Sequence, residues 1–427
     1  MGRKLAATLI AFGIMMPIAS ADEVLVHAGK LLAVPGQGYL TEQTIRIEDG
    51  VITSIEDGYR RARRSDTVID LKDSFVLPGL IDSHVHISSE RGPESSLRPL
   101  RDSSVDTALY GARNAMKTLQ AGFTTVQDVG GDNEAVFSLR DAINKGYIPG
   151  PRIRASGRAV TPTGGHADTN GYSPAITKLA TEMSFNACNG VDDCRRAVRE
   201  TVRSGADLIK ITATGGVLSN TAAGLGQQFF DDELEAIADT AHSMGRKVTA
   251  HAHGKDGIEA ALRAGIDSIE HGTYLDDETI ALFKDSNATL IPTVLAGVTV
   301  TGWTEEDWLP APSRAKAAIV GPLMLDMLRR AREGGVRVAF GTDTGVSLHG
   351  DNAAEFPLMV QAGYSPEQAI RAATVVASEH LEMDEKIGTI TAGKYADIVA
   401  LDEDPLEDID ALLDVDFVMK GGTVYKD

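Results

Sequence analysis

Five of the ten histidines of this 427-residue chain sit in or beside short β-branched runs: His84 and His86 in LIDSHVHI (80–87), His251 and His253 in KVTAHAH (247–253), and His271 in DSIEHGT (267–273). Residues i and i+2 of a strand share a face, so each His-x-His pair aims both rings the same way. Asp343 closes a further run, RVAFGTD (337–343). One such histidine would be ordinary packing, whereas five of them with a carboxylate, recurring at strand ends, read as a ligand set. Imidazole and carboxylate hold zinc and similar divalent ions, and catalytic sites keep one position open for water.

Residues this far apart need a frame that brings them together. From about residue 79 to 375 the sequence alternates β-branched runs with amphipathic stretches, the pattern of parallel βα units. Eight runs are expected as strands: the four above with FTTVQDV (123–129), RIRASG (152–157), LIKITAT (208–214) and ATLIPTV (288–294). Between them lie helical patterns such as TALYGARNAMKTLQAG, DDELEAIADTAHSMG and KDGIEAALRAG, each ending in glycine. Eight such units predict an α/β fold with a closed (β/α)8 barrel over 78–383, whose chemistry sits at the carboxyl ends of the strands. A doubly wound open sheet is the other arrangement, but no G-x-G-x-x-G follows the first strand. The flanks, 22–77 and 384–427, hold short strands and turns and are expected to form one small β-sandwich together.

Composition narrows the partners. There are 41 Lys+Arg against 61 Asp+Glu, a formal charge of −20. That balance opposes nucleic acid and anionic lipid, so small molecules are expected. Residues 1–21 have the form of a secretory signal: Arg3 and Lys4, an apolar run from Leu5 to Ile18, then Ala19-Ser20-Ala21. Export to the periplasm or medium is therefore expected, with no membrane anchorage after cleavage. In an oxidising compartment Cys188 and Cys194 would pair, and so short a loop would gain roughly 2 kcal/mol; two free structural thiols are the other possibility.

Beyond these patterns, FVLPGLIDSHVH, LIKITATGG, VTAHAHG, SIEHGT, FGTDTGVSLHG and GTITAGKYADIVALD resemble the amidohydrolase superfamily over nearly the whole mature chain. Within it the chain is most similar to the imidazolonepropionase-like branch with Xaa-Pro and Xaa-Arg dipeptidases and ochratoxin-type amidases. The resemblance implies that His84 and His86 bind one metal, His251 and His271 a second, and Asp343 the first metal and the hydrolytic water. It also implies that Lys210, carboxylated by carbon dioxide, bridges the two. A lysine buried among cations should be neutral, as that reaction needs. Two ions are expected, zinc first, with Asp343 as general base and then as acid toward the leaving amine. Relatives commonly form symmetric assemblies, so a homo-oligomer is expected.

Substrate contacts are less determined by spacing. His253 could hydrogen-bond substrate or support a ligand. His166, in TPTGGHADTNGYS, could polarise the carbonyl or bind carboxylate, and Ser88 could orient water or substrate. Trp303 and Trp308 share a long segment, AGVTVTGWTEEDWLPAPSR, read as a loop and a plausible lid. His349 could face the pocket or cap the next helix. Glu90, Glu94 and Asp168 would suit a basic leaving residue. His27, His242 and His380 are expected to be structural. The leading reaction is hydrolysis of a dipeptide or N-acyl amino acid; cyclic-amide hydrolysis or deamination is the second, and a metal-free binding protein the third.

Overall fold

The computed structural model describes residues 23–183, 185–221 and 223–427; the signal-like segment lies outside them. The chain opens with four strands, β1 (Val24–Leu31), β2 (Leu40–Glu48), β3 (Val51–Asp57) and β4 (Thr67–Pro78). Seven follow in βα alternation: β5 (Leu80–Val85), β6 (Phe123–Asp128), β7 (Arg152–Ala155), β8 (Ile209–Thr212), β9 (Val248–Ala252), β10 (Ser268–His271) and β11 (Thr289–Ile291). Three more close it, β12 (Ile398–Leu401), β13 (Phe417–Lys420) and β14 (Thr423–Lys426).

Both chain ends build one seven-stranded sheet, in the order β14-β13-β12-β4-β1-β2-β3. Alternation explains how it is buried on two sides. Val76, Ile398, Ala400, Phe417 and Met419 belong to a core of the sheet's own, while Phe75, Leu77, Val399, Leu401 and Val418 join the main core. Two tight turns shape it: Asp49-Gly50 and Gly421-Gly422 all take positive φ, as primed hairpin turns require. The tips touch, since a Cβ on Gly50 would come within 2.4 Å of the Gly421 carbonyl oxygen.

The central strands form two parallel sheets, β5-β6-β7 and β11-β10-β9-β8. Isolated bridges link them, Val160 to Ile211 on one side and, through the eighth expected strand, Val338 to Leu290 and Thr344 to Val85 on the other. That eighth run is not a regular strand. Its backbone is held from both sides, by Leu290 N–H to the Arg337 carbonyl (2.9 Å), Ser83 N–H to Phe340 (2.9 Å) and Asp343 N–H to His84 (2.8 Å). The ladder fails because Thr342 N–H donates to the Asp82 carboxylate and Asp343 turns to φ 59°.

The three helical patterns end at glycine as expected. Ser103 caps Ser104–Gln120 in a reciprocal box with Asp106. Gly122, Gly245 and Gly265, all at positive φ, end the three predicted helices. The tryptophan segment is only partly a loop, because its apolar first half forms the helix Val294–Gly302. Trp303 and Trp308 then pack edge to face, 5.0 Å apart. Cys188 and Cys194 are paired, with Cα atoms 4.9 Å apart. Among the described residues no helix is long and apolar enough to cross a membrane.

Candidate active site

The five histidines and Asp343 converge. His84 leaves β5 buried, with Nε2 3.3 Å from Asp343 Oδ1; His86, just beyond the strand, places its Nε2 3.1 Å from the same oxygen. His86 Nδ1–H donates to the Gly130 carbonyl at 2.8 Å, which turns Nε2 inward. Gly130 must be glycine, since a Cβ there would lie 2.7 Å from the ring. On the other side the rings of His251, His253 and His271 stand 4.6–4.8 Å apart. His253 and His271 are steadied through Nδ1 by Thr273 (2.8 Å) and Thr293 (2.7 Å).

Backbone strain helps to aim these groups. His271 at the end of β10, Thr293 just past β11 and Asp343 in the eighth run have φ of 72°, 51° and 59°, a region that is strained for β-branched Thr293 and that His and Asp enter more readily than other side chains. Such strain persists where surrounding structure holds it, and it clusters at functional sites. At His271 its effect is visible. Successive strand residues normally face opposite ways, yet Glu270 Oε2 is 2.5 Å from His84 Nδ1 while the His271 ring lies 5.3 Å from the His84 ring.

Charge is arranged around Lys210, which is buried and pushed down from the ordinary lysine pKa by desolvation. Burial alone would raise the carboxyl of Glu270, but Lys210 and His84 pull it to about 2. Burial likewise opposes ionisation of Asp343, and the charge and contacts of His84 and His86 hold it well below the carboxylate range. Desolvation, reinforced by neighbouring cations, lowers His166 and His253 to about 3, so both rings are neutral.

The donor set suits divalent metal. Two trios, His84, His86, Asp343 and His251, His253, His271, each bring their ligand atoms within 4.8 Å of one another. The second includes His253, a residue the resemblance left outside. Lys210 Nζ, His251 Nε2 and Asp343 Oδ1 are buried without a hydrogen-bond partner among the described residues. Such groups are costly alone, and metal coordination would satisfy His251 Nε2 and Asp343 Oδ1.

The remaining expected residues divide. His166 joins the site, stacked on His251 at 4.2 Å with its Nδ1 on the Ser219 hydroxyl. Ser88 is packed between Gly111 and Gly131. His349 has a third placement, its Nε2 donating to the Ser89 (2.9 Å) and His86 (3.2 Å) carbonyls, so that it braces the loop after β5. The acidic residues expected to meet a basic leaving group are engaged elsewhere. Glu90 accepts from Tyr110 and Arg113, Asp168 from the Gly164 and Thr169 amides, and Glu94 is an exposed partner of Arg101. Glu90 is thus held by the helix Ser104–Gln120 and Asp168 by amides of its own loop, while Glu94 faces solvent. His27, His242 and His380 lie outside the cluster, bonded to Arg60, Asp267 and Gln127.

Sequence reasoning missed Glu270 and Arg91. Glu270 was signalled by an acid inside an apolar run; Arg91 follows Glu90 in a loop where spacing does not say which faces inward. Its N–H donates to the Gly345 carbonyl (2.6 Å), and its guanidinium, without hydrogen bond or ion pair among the described residues, acts electrostatically on Asp343 and His166.

The sequence profile of the Amidohydrolase family matches residues 75–425. The chain belongs to the amidohydrolase family. It is 32% identical over 442 residues to an ochratoxinase of Aspergillus niger, covering 96% of this chain and 88% of that one. The crystal structure of a Xaa-Pro dipeptidase with bound methionine in the active site is similar at TM-score 0.90 and 39% identity, covering 95% of this chain and 100% of that one. A prolidase complexed with N-methylphosphonate-L-proline is similar at TM-score 0.86 and 30% identity, covering 95% and 99%. This amidohydrolase is accordingly a hydrolase of amide or peptide C–N bonds.

Proposed function

We propose that this amidohydrolase is a binuclear metal-dependent amidase that cleaves dipeptides or N-acyl amino acids and releases the amino acid bearing the free carboxylate. The observation that carries the reading is the pair of ligand trios, both acted on electrostatically by a buried Lys210 whose Nζ has no hydrogen-bond partner among the described residues. His84, His86 and Asp343 would hold one ion and His251 and His271 the other, with carboxylated Lys210 between them; zinc suits nitrogen-rich donors. Bound there, the ions would polarise the scissile carbonyl and make water acidic enough to ionise near neutral pH.

The chain's own residues do the rest. Asp343, kept ionised by its histidine neighbours, takes a proton from the attacking water and returns it to the leaving nitrogen. His166, its Nδ1 occupied by Ser219, and His253, its Nδ1 by Thr273, present Nε2 as neutral donors to the carbonyl oxygen. Arg91, whose guanidinium has no hydrogen bond or ion pair among the described residues and acts on Asp343 and His166, receives the substrate carboxylate. Engagement of Glu90 and Asp168 elsewhere favours that anionic end over a cationic one.

The same reading takes the two parallel sheets as one closed barrel over 78–383, supported by the bridges at both seams. It takes the end sheet as a β-sandwich of 22–77 and 384–427. Export rests on residues 1–21 and agrees with the disulfide. The test is amino-acid release by residues 22–427, reconstituted with zinc, from dipeptides and N-acyl amino acids with Arg, Lys, Pro or Phe leaving, each beside its C-terminal amide. Release from free acids and little from amides is expected. Activity only on cyclic amides would overturn the reading.

A further inference from the structure

Ser219, in the loop after β8, is held from two directions. Its hydroxyl meets His166 Nδ1, while its carbonyl accepts from Lys316 Nζ (2.9 Å), Ser313 Oγ (3.3 Å) and Thr221 N–H (2.8 Å). Lys316 also donates to the carbonyls of Gly216 (2.8 Å) and Thr221 (3.3 Å), so one ammonium gathers the loop at three points. Gly216 in turn limits where the His166 ring can lie, because a Cβ on it would reach within 2.2 Å of that ring. Lys316 and Ser313 belong to the helix Ala311–Gly334, which starts just after the two tryptophans. No carboxylate pairs with Lys316 among the described residues, which is unusual in a chain with twenty more acids than bases. An ammonium has three donors and no acceptor, and here neutral carbonyls take all three, as they would surround a small monovalent cation.

We propose that Lys316 is a positioning residue for His166: its ammonium fixes the loop after β8 so that Ser219 and Gly216 set the ring over His251. The proposal rests on the reading of His166 as a substrate contact and names what places it there. It also ties the site to the helix that follows Trp303 and Trp308.

Lys316→Ala removes the ammonium and leaves room that n-propylammonium can refill. In zinc-loaded protein kcat/KM should fall at least tenfold with zinc content unchanged. Amide hydrogen exchange over 215–221 should quicken, and propylammonium should restore part of both where equal sodium chloride does not. Ser313→Ala, a milder change on the same carbonyl, should move both readouts the same way by less, and it serves if Lys316→Ala does not fold. Unchanged exchange with unchanged kcat/KM, or losses that propylammonium leaves untouched, would overturn the proposal. Exchange is read without substrate, so a wild-type enzyme inactive on the panel would sink the amidase reading while exchange still decides this one.

Discussion

Glu270 Oε2 lies 2.5 Å from His84 Nδ1, and its other oxygen accepts from the Thr249 hydroxyl, which accepts from Ser268 at 2.8 Å. A carboxylate on one imidazole nitrogen fixes the tautomer and leaves the other nitrogen free to bind metal. Glu270→Gln should therefore lower zinc affinity by about 10–100-fold, the usual range for such partners. Competition with a chromophoric chelator measures it, and wild-type affinity in a folded variant would refute this role.

Asp343→Asn keeps the shape of the side chain and loses its basicity. Turnover should drop at least a hundredfold, in line with general acid–base contributions, with melting temperature close to wild type. Because Asp343 is also a proposed ligand, zinc content has to be measured alongside kcat. Near-normal turnover would remove Asp343 from its role.

Gly216→Ala should displace the His166 ring, since the added methyl would sit 2.2 Å from it. KM for amide substrates should rise several-fold with zinc content unchanged. A variant with unaltered KM would mean that the ring moves without consequence.

Much of this was legible beforehand because the local rules and the global fold agree. His84, His86, His251, His271 and Asp343 announced themselves as donor types at strand ends, and Gly122, Gly245 and Gly265 marked where helices stop. What stayed hidden depends on direction. The eighth run reads as a strand, but Asp82 captures the Thr342 amide that a ladder would use. His349 and Glu90 look like pocket residues by position, yet their partners come from residues distant in sequence. Glu270 faces the site by its register beside His251, and His271 joins it there only by taking a left-handed backbone, which alternation does not foresee.

Stability should depend on pH through Glu355, which is fully buried and caps the helix Val294–Gly302 through the amides of Val294 (2.9 Å) and Leu295 (2.6 Å). Burial outweighs those amides and raises its carboxyl to about 8 from 4.5. Between those pH values the folded protein keeps a proton that the unfolded chain has released, so stability falls as pH rises across the window. Melting of the metal-free protein at pH 5, 6.5 and 8 should show that fall, shallower in Glu355→Gln. Equal slopes in the two proteins would assign the dependence to other groups.

The most direct test of the central claim counts zinc per chain and follows amino-acid release before and after chelation, in wild type and in Lys210→Ala. The account predicts two zinc ions per chain, release that stops with chelator and returns with zinc, and a variant that retains fewer ions and is nearly inactive. Well under one metal per chain in active protein, or release that survives both chelation and the loss of Lys210, would contradict it.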